Sequence, residues 1–219
     1  RHDCLAYAHP TSQGTFAAGL TYLSQGTIDG RDSLGRRTEG YDASDAAVSF
    51  GYARKTEIVE LGGTIKYLRS HIGSTEAQGA AVDLGARRAF DRVNFAAALR
   101  NIGPGLKFQD QRNDLPLRLA VGAAYNIAGG HAAAAEFVNG PRGAGSDVSF
   151  GGEYQAFKSL FLRAGYTTQT AITGGSGFDA ARGLTMGLGF RNEKWSLDYA
   201  VLPSGELGRS HRFSLAVRW

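Results

Sequence analysis

Five histidines, His2, His9, His71, His131 and His211, are the side chains best suited to hold a metal or move a proton, and they are scattered without ligand-like spacing. The Gly-rich stretch Gly174-Gly-Ser-Gly177 follows no strand-to-helix transition, so it does not read as a phosphate cradle. No Ser/His/Asp arrangement stands out. Cys4 is the only cysteine, which excludes an internal disulfide and reads as a buried or lipid-facing small residue. The sequence therefore predicts neither catalysis nor a metal or cofactor. The reactive groups that do recur in an ordered way are charges. Arg87, Arg100, Arg118, Arg163, Arg191, Arg212 and Arg218, with Asp83, Glu136, Asp147, Glu153 and Asp198, occupy one phase of strand-like alternation. Their chemistry is electrostatic: opposite charges sharing a narrow interior pair, stiffen it and exclude a wide aqueous path.

The elements that would position them are β-strands. In the last hairpin, Lys194 to Trp219, the residues Trp195, Leu197, Tyr199 and Val201 alternate with Ser196, Asp198 and Ala200. Phe213, Leu215, Val217 and Trp219 then alternate with Arg212, Ser214, Ala216 and Arg218. Period two puts apolar residues on one face and charges on the other. Working back from this hairpin, the same alternation recurs in about thirteen segments, whereas helical spacing never persists. One all-β domain over residues 1–219 is expected, with no linker.

Three features favour a transmembrane β-barrel over a soluble sandwich. Connections alternate in length: Arg54–Thr56, Ala89–Asp91, Ala128–Gly130, Ala156–Ser159 and Arg191–Lys194 are short. Ser24–Ala43, Ser70–Gln78, Asn101–Asp114, Asn139–Ser146, Thr167–Arg182 and Pro203–Ser210 are longer. Short periplasmic turns and long outer loops are the layout of outer-membrane barrels. Aromatics on the apolar face fall into two bands, the interfacial girdles expected of such barrels. Phe16, Tyr52, Tyr125, Tyr154, Phe190, Trp195 and Trp219 form the lower one, and Tyr22, Tyr67, Phe137, Tyr166 and Phe213 the upper. The opposite face is rich in Gly and Ala, unlike a solvated sheet. Parity of strand number predicts an upward strand preceding Arg1, giving about fourteen in a complete barrel.

Composition fits. The chain has 31 Gly, 5 Pro and 20% charged residues, with no apolar run long enough for a membrane helix. Its 24 basic and 20 acidic residues are interspersed, which argues against nucleic-acid binding despite a net charge of +4. Lipid and lipopolysaccharide of a bacterial outer membrane are the surroundings expected.

Several stretches resemble the PorV/PorQ outer-membrane proteins: Leu61-Gly-Gly-Thr-Ile-Lys-Tyr-Leu-Arg-Ser70, Ala97-Ala-Leu-Arg-Asn-Ile-Gly-Pro-Gly-Leu-Lys-Phe108 and Leu115-Pro-Leu-Arg-Leu-Ala-Val-Gly-Ala-Ala-Tyr125. Leu160-Phe-Leu-Arg-Ala-Gly-Tyr166 and Leu197-Asp-Tyr-Ala-Val-Leu-Pro-Ser-Gly-Glu-Leu-Gly208, followed by His211-Arg-Phe-Ser-Leu215, add to the resemblance. It implies a barrel similar to the fourteen-stranded FadL type, and a role in type IX secretion, with long loops engaging exported proteins or a translocon. Leu106, Lys107 and Phe108 are the contact residues expected, since an apolar pair flanking a charge on an exposed loop is costly without a partner. The alternative is a FadL-like channel for small hydrophobic compounds, with Gly62-Gly63 a place where a strand could be interrupted.

Overall fold

The computed structural model describes residues 1–109, 111–142, 145–168, 183–202 and 209–218, with 203 by its backbone alone. Trp219, most of the expected loop 167–182 and the middle of loop 203–210 lie outside them. Fifteen strands occur among the described residues: β1 (His2–Thr11), β2 (Gly14–Ile28), β3 (Tyr41–Lys55), β4 (Glu60–Ile72), β5 (Thr75–Phe90), β6 (Val93–Ile102), β7 (Leu106–Phe108), β8 (Gln111–Asn113), β9 (Arg118–Ile127), β10 (His131–Gly140), β11 (Gly145–Phe157), β12 (Leu160–Thr167), β13 (Leu184–Arg191), β14 (Trp195–Pro203) and β15 (Arg209–Val217). All but β7 and β8 follow one another in sequence order through a 13-stranded sheet. The expected strands are thus present one for one, and the two extra ones form a small separate hairpin.

Several expected loops are shorter than the apolar pattern suggested. Ser70–Gln78 was expected as a loop, but β4 and β5 pair out to Ile72 opposite Thr75, leaving only Gly73, in the left-handed region (φ 58), and Ser74 between them. Ser24–Ala43 shrinks to residues 29–40 and Asn139–Ser146 to residues 141–144. Asn101–Asp114 begins inside β6 and contains the β7–β8 hairpin. The physical reason is common to these cases: a backbone ladder continues past the apolar band wherever polar side chains can line it. Beyond the band, Arg69 bonds Glu76 at 2.6 Å and Ser70 bonds Asp45 at 2.5 Å, so the ladder does not end with the hydrophobic alternation. Gly62-Gly63 does not interrupt β4, because both residues keep partners in β3 and in β5.

The chain divides into two compact units. The first holds residues 1–87, 98–119 and 141–144. In it the registers Phe16↔Tyr52, Ala18↔Phe50 and Leu20↔Val48 join one face of β2 to one face of β3, and Val48↔Tyr67 and Phe50↔Ile65 extend that face to β4. Phe50 and Ile65 are each 65% exposed. Above Tyr67 the same face turns to Arg69 and His71. The second unit holds residues 88–97, 120–140 and 145–219. Tyr154↔Leu162, Leu162↔Leu188, Leu188↔Tyr199 and Tyr199↔Phe213 carry one continuous apolar face across β11 to β15.

Among the described residues no large side chain is fully buried, and the buried apolar residues are mostly alanines. A sandwich would enclose one of these faces as its core. Leaving a Phe or Ile side chain in water forfeits about 1.5–3 kcal/mol, and dozens are exposed together. That surface belongs in lipid, and no helix among the described residues is long and apolar enough to cross a membrane instead. The architecture is an antiparallel transmembrane β-barrel fold.

Candidate ligand pocket and its ion-paired wall

Within the second unit, the face opposite the lipid-facing one carries an open pocket of about 680 Å³. Small residues make most of its wall, among them Ala132, Ala134, Gly151, Gly165, Gly187 and Ala200. They come from alternate positions of β10 to β14, so the period that drives bulky residues outward leaves this side nearly smooth.

Charge enters the wall as one ion-paired cluster, apart from Arg212 at its margin. Arg163 on β12 lies directly opposite Glu153 on β11, and its Nε donates to Glu153 Oε2 at 2.7 Å. Its Nη1 donates to Asp198 Oδ1 at 2.5 Å, although Asp198 is on β14 and β13 runs between. Register explains the reach: Gly187 faces Arg163, and Gly189 faces Asp198. The arginine therefore lies along the bare backbone of β13, with Gly189 buried there. A Cβ at Gly189 would fall 2.8 Å from Asp198 Oδ1 and 2.9 Å from Arg163 Nη2. The three side chains are only 24–33% exposed. One guanidinium shared by two carboxylates is a charge-assisted arrangement that keeps each ion partnered.

The remaining expected interior charges separate into local groups. Arg87 meets Glu60 at 3.2 Å on the first unit's strands. Asp83 pairs with Lys66 at 2.7 Å and also accepts the Asn101 backbone N–H at 2.8 Å. Arg191 places its guanidinium 4.6 Å from the centre of the Phe161 ring. Arg100 sits on β6, Arg118 on β9, Glu136 on β10, Asp147 on β11 and Arg212 on β15 at the pocket margin. Arg218 follows β15 and its backbone N–H donates to Lys194 O. Sequence reasoning did not single out Lys66, Glu60 or Asn101. Alternation already put Lys66 and Glu60 on this face, but the part played by Asn101 rests on its left-handed backbone (φ 61), which no spacing signals.

Leu106, Lys107 and Phe108 form β7, with Lys107 exposed and the other two half-buried. Leu106 rests against Gly79 of β5, where a Cβ would meet its Cδ2 at 2.8 Å. Gly79 is flanked on that face by Ala77 and Ala81, 2% and 1% exposed. Gly103 fits with equal closeness between the Ala80 carbonyl and Leu115. Segment 101–117 thus folds onto β5 instead of standing clear of it.

For the aromatic bands, Phe16 and Tyr52 pack at 4.9 Å between ring centres, and Tyr52 Oη donates to Gln13 O in the adjoining turn. Phe190 and Trp195 stack at 5.2 Å beside the β13–β14 turn, and His131 stacks on Tyr154 at 4.6 Å. Tyr125 and Phe137 are exposed on β9 and β10. Tyr166 stacks on Phe150 at 5.7 Å. Tyr22, Tyr67 and Phe213 lie within their strands, not at the last residues, because β2, β4 and β15 continue beyond them.

Outside the strands, Asp32 organises residues 29–40. Its carboxylate accepts the backbone N–H groups of Arg36 and Leu34 and the Arg36 guanidinium, at 2.8–2.9 Å. The Arg36 N–H above all, then the Arg36 side chain and Leu34 N–H, hold this carboxyl below the usual aspartate range.

No protein-family model matches the chain, and no curated protein matches it in sequence. Solved structures do. The Pseudomonas putida toluene transporter TodX superposes with a TM-score of 0.69 at 13% identity, covering 90% of this chain and 74% of that one. The Ralstonia pickettii toluene transporter TbuX gives 0.64 at 14% identity, with 90% and 74% covered. Identity this low speaks to architecture only, and it agrees with strand order, register and the lipid-facing apolar surface. The chain has the outer-membrane β-barrel fold that these transporters share.

Proposed function

We propose that this chain is an outer-membrane channel for small hydrophobic compounds, and that the pocket of the second unit is a station on their path. The observation that carries the reading is the pocket itself: about 680 Å³, walled mostly by small side chains (Ala, Gly, Ser and Thr), with its central cation held by two carboxylates. Ligand sites of this kind are concave, mostly apolar and furnished with a few polar groups. A monocyclic aromatic fits that description, and the neighbours in fold are toluene transporters. Lipid and lipopolysaccharide would cover the outer apolar face. Passage through a wall of small side chains asks for no catalytic group, metal or cofactor.

Binding of exported proteins or a translocon, as in PorV-type secretion, is the second reading. It rests on the sequence resemblance and on the exposed Lys107. The seating of Leu106 on Gly79 removes apolar surface from that contact.

The test is uptake of radiolabelled toluene by Gram-negative cells whose lipopolysaccharide layer is intact, since toluene crosses plain phospholipid unaided. Cells producing the protein should accumulate label faster than cells carrying empty vector. Equal rates, together with a stoichiometric protein co-purifying in mild detergent, would favour the second reading.

A further inference from the structure

We propose that Gly189 sets the clearance of the pocket by giving Arg163 a place to lie flat. The inference rests on the channel reading but can be measured apart from it. Arg163 projects from β12 into the same space as the pocket, and a long cation standing upright there would obstruct it. It does not stand upright, because β13 offers no side chain at the two positions it crosses. Gly187 faces it in the ladder, with Arg163 Cβ 3.6 Å from where a Cβ on Gly187 would be. At Gly189 the guanidinium itself covers the backbone, and a Cβ there would stand 2.8 Å from Asp198 Oδ1 and 2.9 and 3.0 Å from Arg163 Nη2 and Nη1.

The distances at Gly189 are shorter than carbon–oxygen or carbon–nitrogen contacts allow, so any larger residue must displace something. The backbone of β13 is held in register by β12 and β14. Asp198 is short and anchored in β14. The flexible partner is Arg163, whose remaining anchor is Glu153 on the far side, and the open direction is the pocket. A methyl at 189 therefore unlatches Nη1 from Asp198 and swings the guanidinium into the space a ligand would use. Gly189 is in this account a specificity-determining position that makes no contact with the ligand, and Arg163 is the part that moves. The usual reading of a strand glycine, a bulge or a bend, does not apply, because the β12–β13 and β13–β14 ladders run past Gly189 without a shift.

The experiment places a thiol in the pocket wall by Ala200→Cys, in a Cys4→Ser background, and measures its alkylation by neutral N-ethylmaleimide in the folded, detergent-solubilised full chain. Gly189→Ala should slow alkylation by about tenfold, and adding Arg163→Ala should return it to within about twofold of the starting rate, since overpacked sites are relieved by removing the obstructing side chain. Heat-modifiable migration on gels confirms that each variant is folded, and Gly189→Ala with Arg163→Lys provides a second, milder relief should the first combination not fold. An unchanged rate in Gly189→Ala, or slowing that persists without Arg163, overturns the proposal. Toluene uptake by wild-type cells is scored separately: its failure sinks the channel reading and leaves the alkylation result to judge the role of Gly189.

Discussion

Phe50→Lys tests which face of the sheet meets lipid, and its cost can be worked from the register. Phe50 is in the middle of β3, flanked across the ladder by Ala18 of β2 and Ile65 of β4, and it is 65% exposed to whatever surrounds the sheet. If that medium is hydrocarbon, the substitution moves a cation toward the bilayer midplane, which costs about 2–4 kcal/mol in outer-membrane barrels. Ala47→Lys, three residues away on the opposite face and beside Thr21 and Leu68 in register, introduces the same charge away from lipid. It should cost about 1 kcal/mol or less, because interior substitutions in barrels mainly tune selectivity. Urea titration of folding into phospholipid vesicles, followed by tryptophan fluorescence, reads both. A Phe50→Lys cost under about 1 kcal/mol, or an equal cost for Ala47→Lys, would refute the assignment of faces.

Three further outcomes are expected. Asp198→Asn leaves Arg163 with Glu153 alone; because these groups are about a third exposed, the loss should be about 1–2 kcal/mol in the same titration, below the value for a fully buried pair. Lys66→Met strips Asp83 of its cation and Asn101 of a 2.5 Å hydrogen bond, so segment 101–117 should become cleavable by proteases while the strands stay protected. The Asp32 carboxyl has a folded pKa below its unfolded one, so its contribution is present above the ordinary aspartate range and fades as pH falls through the lowered value. Hydrogen-exchange protection of the Leu34 and Arg36 amides, corrected for intrinsic rates, should therefore drop only in acid.

The strands were legible because side-chain period two needs no tertiary information: Trp195 to Val201 and Phe213 to Val217 declare their faces directly. Strand ends were not, because hydrogen-bonded ladders such as Arg69↔Gln78 and Ser70↔Ala77 extend past the apolar band through residues that read as loop. The charges on the interior face could be named from alternation, but their partners could not. Arg163 finds Asp198 two strands away only because glycines occupy β13, a fact that exists once register is known. Leu106 looked like exposed apolar surface for the same reason, since its seat at Gly79 is a long-range contact. The resemblance to PorV-type proteins pointed first to secretion, whereas the channel proposed above is drawn from the pocket, which exists only once the strands are in register.

The central claim is that a small hydrophobic compound occupies the pocket of the second unit. Selective 13C labelling of alanine methyl groups, with toluene titrated into the protein in detergent micelles, tests it most directly. The account predicts saturable shifts at Ala132, Ala134 and Ala200 in the pocket wall, and unsaturable ones at Ala18 and Ala46 on the lipid-facing side. Saturable shifts confined to the lipid-facing methyls, or none in the pocket at any toluene concentration, would contradict it.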